Sequence, residues 1–150
     1  MDLYPWLKVL HILLAVVAVG FNISYAIWLA RAAREPQHLG YALRGIKFLD
    51  DRIANPAYLG LLVVGVLLVL MRWSFTNLWI LVALGLYAVL AVVAFGFYSP
   101  TLTRQIAVYE TSGPEDGSFA ALAARSRLLG IVLGVIVLAI IVVMVLKPGT

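Results

Sequence analysis

Two ionisable side chains stand one helical turn apart in Leu7-Lys8-Val9-Leu10-His11, at the start of an otherwise apolar stretch that runs to Ala30. Ionisable groups are expensive in lipid, and those that occur there face a bundle interior, a water-filled cavity or the headgroups. His11 carries the most chemistry. Neutral imidazole is the commonest metal ligand and titrates near physiological pH. It can therefore serve as a ligand to copper or haem, as a proton carrier, or as an inert ring bonded to a backbone carbonyl. His11 lies roughly 8 Å inside the edge of its segment, at about 1.5 Å per residue, which makes snorkelling awkward for so short a side chain.

On a helix, Lys8, His11, Ala15, Ala18, Asn22, Tyr25 and Leu29 fall within one stripe about 100° wide. Lipid cannot satisfy amide and imidazole groups, so this stripe should face inward, with Asn22 and Tyr25 bonding neighbouring helices. Two methionines, Met71 and Met144, end other apolar runs. A histidine with thioethers suits a soft ion such as Cu(I). The second histidine, His38, belongs to the opposite side of the membrane, so a haem between two histidines is excluded. Five-coordinate haem on His11, or His11 with a Met or Lys partner, remains open.

Other chemistry is thin. With no cysteine, disulfides, zinc-thiolate sites, iron–sulfur clusters and thiol nucleophiles are excluded. No Ser-His-Asp set, glycine-rich phosphate loop, His-Glu-x-x-His motif or carboxylate cluster occurs within the apolar runs, which argues against hydrolases, ATP-driven pumps and di-iron enzymes. An enzymatic role is not the expectation.

The elements that must position these residues follow from composition. The chain has 150 residues, 64% hydrophobic and 12% charged, against about 45–50% and about 25% in soluble domains. It reads as a single integral membrane domain, an all-α up-and-down four-helix bundle with spans at about 6–30, 53–72, 77–99 and 127–146. Lys8, Arg72 and Lys147 fall on one side, while Arg31, Arg34, Arg44, Lys47, Arg52, Arg104, Arg125 and Arg127 fall on the other. The positive-inside rule then places both termini outside the cytoplasm, with Met71, Met144 and His11 in the outer half of the membrane. Tyr4, Trp6, Trp73, Phe75 and Trp79 should form an outer aromatic belt, and Trp28, Tyr58 and Tyr98 an inner one.

Between the first two spans, Leu39, Leu43, Ile46, Leu49 and Ile53 recur at helical spacing, predicting an amphipathic helix over about 38–53 lying on the membrane surface. The second long loop reads as extensions of spans three and four around Ser112 to Gly117, with Ser118 as N-cap and a kink at Pro100. Ser126, Gly130 and Gly134 form a small-residue ridge for helix packing, within the bundle or in a homo-oligomer. Asp50-Asp51 before Asn55-Pro56 reads as charge at a helix N-terminus, and a cation at this pair is the alternative.

Leu7-Lys8-Val9-Leu10-His11, Asp50-Asp51-Arg52 with Asn55-Pro56, Trp79 and Tyr87, Arg125-Ser126-Arg127 and Met144-Val145-Leu146-Lys147-Pro148 together resemble the bacterial family of small predicted integral membrane proteins catalogued as domain of unknown function 2269. The resemblance covers essentially the whole chain and implies architecture rather than activity. More distantly, the opening Lys-x-x-His is similar to the first helix of copper-resistance D membrane proteins and of four-helix haem-dependent protoporphyrinogen oxidases. That likeness implies His11 as a copper or haem ligand with Lys8 beside it, but the further histidines and the helix-one arginine signature of the oxidases are missing.

The resulting expectation is a bacterial inner-membrane protein that holds haem b or copper through His11, with Lys8 on a propionate or other anion and Met71 or Met144 assisting. A non-catalytic accessory or scaffold subunit of a larger membrane complex is the alternative, and a small-solute or proton carrier is the weaker one. Partners are the bilayer, anionic lipids at the cytoplasmic face, and a membrane protein or a second copy. No basic face interleaved with aromatics suggests nucleic acid.

Overall fold

In lipid every backbone N–H and C=O must be satisfied within the segment, so each apolar run closes into a helix. The computed structural model describes residues 2–149. Its helices are α1 (Tyr4–Ala32), α2 (Leu39–Leu49), α3 (Asn55–Arg72), α4 (Leu78–Val93), α5 (Ser99–Ser112) and α6 (Gly117–Leu146). A 3-10 turn at Pro36–His38 leads into α2. One π turn at Asp50–Ala54 joins α2 to α3, and a second at Ala94–Tyr98 joins α4 to α5. The chain therefore forms four continuous rods of 29, 37, 35 and 30 residues, each long and apolar enough to cross a membrane. No strand occurs among the described residues.

Both π turns have the same sequence cause. Each runs directly into an X-Pro pair, Asn55-Pro56 or Ser99-Pro100. Proline offers no N–H, and its ring crowds the carbonyl four residues earlier. Widening one turn absorbs the defect without breaking the rod. The Asn55 N–H bonds back to the Asp50 carbonyl, and that of Ser99 to Ala94. Just before Pro100, where the sequence predicts a kink, stands this π turn, and Thr101 Oγ1 donates to the Phe97 carbonyl at 2.7 Å.

Asp2, paired with Arg72, and Gly149, beside Leu78, lie with the Trp73–Asn77 turn at one end of the bundle, the terminal end; the opposite end is the loop end. Along the apolar part, α1 packs on α3 and α4 packs on α6. The backbones of α3 and α4 do not approach each other, and Val69 reaches Trp79 and Ile80 only through side chains. Towards the loop end the rods close around Leu43, Ile46, Tyr98, Leu102, Phe119 and Leu133.

This core corrects the expected surface helix at 38–53. Continuous with α3, α2 packs on α1 and α5, and its Leu43 and Ile46 are fully buried. The neighbouring rods also extend past the apolar zone, so they offer the α2 stripe a protein surface to cover. Gly40 permits the close approach, since a Cβ there would lie 2.5 Å from Tyr109 Cε1. The same extension encloses Tyr58 and Tyr98, which are half-buried and buried respectively rather than in an inner belt. At the second loop α6 begins at Gly117, with Asp116 rather than Ser118 as N-cap, its carboxylate accepting from the Ser118 N–H at 2.7 Å.

Candidate functional site

Two glycines on α3 bring α1 close. A Cβ at Gly65 would lie 3.1 Å from His11 Cε1, and one at Gly60 3.1 Å from Leu14 Cδ1. The imidazole therefore rests directly on the α3 surface, beside the Leu61 backbone, with its ring position set by the missing side chain at Gly65. Its Nδ1 is buried against α3 without a hydrogen bond of good geometry, although the ring interacts with the Leu61 backbone.

The ring forms part of the wall of a cleft of about 630 Å³ between the two helix pairs, with Tyr58, Gly65, Trp79, Tyr87 and Met144 among the other walls and aliphatic side chains elsewhere. Small-molecule sites are typically mostly apolar clefts of about 300–1,000 Å³ with a few placed polar groups. The cleft exists because the α3 and α4 backbones stay apart. Trp79, also in its wall, has a buried Nε1–H without a partner. Buried polar groups are nearly always paired, so two orphan nitrogens around one cleft call for an explanation.

The loop-ward floor is a hydrogen-bonded ladder. Asn22 Nδ2 donates to the Ala18 carbonyl at 3.0 Å and to Tyr58 Oη at 2.8 Å, and Tyr87 Oη donates to the Tyr58 carbonyl at 2.8 Å. Such interhelical bonds fix α1, α3 and α4 together at this level. At the terminal rim, Trp73 and Trp79 meet edge to face at 5.2 Å, and Trp73 Nε1 donates to Tyr4 Oη at 3.1 Å. The Lys147 ammonium lies 4.4 Å from the Trp73 ring centre and 5.5 Å from that of Trp79.

The other predicted residues are placed as follows. Met144 shares the cleft with His11, whereas Met71 is exposed and outside the wall. Lys8 is exposed and likewise outside it. Asn22 builds the floor, and Tyr25 is buried one turn nearer the loop end with its hydroxyl unpaired. Of the small-residue ridge, Ser126 is buried, a Cβ at Gly130 would lie 4.0 Å from Tyr98 Cε2, and Gly134 faces open space. His38 pairs with Glu35 at 3.7 Å on the loop-end surface. Trp79, Tyr87, Tyr58 and Lys147 do not stand out as one group in the sequence. The spacing of Trp79 and Tyr87, eight residues apart and so on one helix face, is the available signal.

A family model described as a predicted integral membrane protein, domain of unknown function 2269, matches residues 5–148. No curated protein and no solved structure matches the chain. The likeness to copper-resistance D proteins and haem-dependent oxidases thus rests on the opening Lys8 and His11 alone.

Proposed function

The chain belongs to that family of predicted integral membrane proteins, and from this premise we propose that it binds haem b in the cleft, with His11 as the axial ligand. The observation that carries the reading is the pair of orphan nitrogens, His11 Nδ1 and Trp79 Nε1, on residues of one apolar cleft. Haem asks for one imidazole, a dry slot and donors for its carboxylates. His11 supplies the first and the aliphatic walls the second. Trp79 Nε1–H and the Lys147 ammonium at the terminal rim supply the third, a role the sequence alone suggests for Lys8. Bound there, haem would bring a redox-active iron to the terminal half of the bundle.

Copper fits less well. Thioether and imidazole suit Cu(I), but with Met71 turned away only His11 and Met144 share the cleft. Among the described residues no three of His, Cys, Asp or Glu group together as metal ligands. The test is purification in mild detergent with added haem, followed by an absorption spectrum and elemental analysis. A Soret band that is lost in His11→Ala, with helix content unchanged, is expected. Stoichiometric copper without haem would favour the other metal. A colourless, metal-free protein that takes up no haem would overturn the proposal and favour the accessory-subunit role.

A further inference from the structure

Asp50 is the one charged side chain among the described residues that the bundle buries, at 6% exposed. It stands in the π turn, just loop-ward of the apolar stretch that begins at Ile53, and about 32 Å from Met71 at about 1.5 Å per residue. By sequence it is a group at a helix N-terminus. The rod runs through, however, so no free N–H groups await a carboxylate there.

Its surroundings leave the carboxyl without a bonded cation. From α3, Asn55 Nδ2 donates to it over a long 3.4 Å. From α2, Lys47 spends its short bonds on the neighbouring Asp51, at 2.6 and 2.7 Å, and reaches Ser99 Oγ at 3.3 Å. Arg52, on the same turn, is exposed. From α1, which packs on this turn, comes Tyr25, 3% exposed, whose hydroxyl has no partner. Asp50 is the leading charge acting on that hydroxyl, and it also acts on Tyr58 of α3 and Tyr98 of the second π turn. Lys47 acts on Asp50 only through space, and a buried carboxylate without a bonded cation is costly, so the usual response is to take a proton. Burial, reinforced by the Asp51 charge, pushes the Asp50 carboxyl up to about 6.

We infer that Asp50 is a proton-binding site inside the bundle. It takes one proton from the loop-end solvent, past exposed Asp51, to become a neutral carboxylic acid, and it returns that proton to the same solvent. This reading is independent of any occupant of the His11 cleft.

Infrared spectroscopy of the detergent-solubilised full chain, titrated between about pH 3 and about pH 8, reads the protonated carboxyl C=O band directly and brackets the ordinary and shifted carboxyl values. One buried-carboxyl band is expected, fading as pH rises, absent from Asp50→Asn, and retained with a lower midpoint in Asp51→Asn. If Asp50→Asn does not fold, the Asp51→Asn midpoint decides, and an unmoved one overturns the assignment. A wild type with no such band, or a band surviving in Asp50→Asn, also overturns it. A midpoint that falls as Na⁺ or K⁺ is raised at constant ionic strength would make the ligand a metal cation and refute the proton.

Discussion

The buried Asp50 makes a quantitative demand on stability. Its carboxyl is raised from 3.8 to about 6, a shift of about two units, or roughly 3 kcal/mol at about 1.36 kcal/mol per unit. Because the folded value lies above the unfolded one, the folded state binds the proton more tightly between them. The stabilisation is therefore fully present below about pH 3.8 and is lost as pH rises through about 6. The amide introduced by Asp50→Asn cannot ionise, has nearly the same volume as the carboxyl, and can still accept from Asn55 Nδ2. The variant should match the wild type at low pH and exceed it by up to about 3 kcal/mol near pH 8, since it avoids the buried charge. Asp51→Asn is the comparison, because its pair with Lys47 is only half-buried and such pairs near the surface contribute about 0–1 kcal/mol. The assay is reversible unfolding of the solubilised chain by titration with a denaturing detergent, followed by helix circular dichroism at the two pH values. A variant less stable than the wild type near pH 8, or a difference that does not change with pH, would refute the argument.

Two further outcomes test the fold itself. Leu43→Ala removes a fully buried side chain at the junction of α2 with α1 and α5 and should cost about 2–5 kcal/mol; a neutral result would return α2 to the membrane surface. Orientation is checked by Glu115→Cys in an otherwise cysteine-free chain, a better position than Gly113, whose φ of 82° strains any other residue. With eight Lys and Arg on the loop side against three on the other, this cysteine should resist an impermeant thiol reagent in intact cells. Labelling there would invert the topology.

Much of the helical framework is legible in the residues. Four apolar runs admit only helices in lipid, and the polar stripe of α1 marks the side on which Ala18, Asn22 and Tyr25 are covered. Legibility ends where a residue's fate depends on how far neighbouring rods reach. Nothing local in Leu39 to Ile53 says whether its apolar stripe meets headgroups or protein, because both satisfy the same periodicity. Tyr58 and Tyr98 read as interfacial aromatics for the same reason. The π turns are not legible either, because proline in a helical pattern signals a defect without saying whether a kink or a widened turn absorbs it.

By itself the sequence determined that the chain crosses a membrane as helices, that its richest ionisable pair opens the first of them, and that cysteine chemistry is absent. These are properties of composition and periodicity, which act residue by residue. Only the tertiary structure decided that His11 and Trp79 share a cleft, that Lys8 and Met71 stay outside it, and that Asp50 is buried rather than solvated. Each of these depends on the distance between helices remote in sequence. Here that distance is set by Gly60 and Gly65 drawing α1 onto α3, and by the absence of backbone contact between α3 and α4.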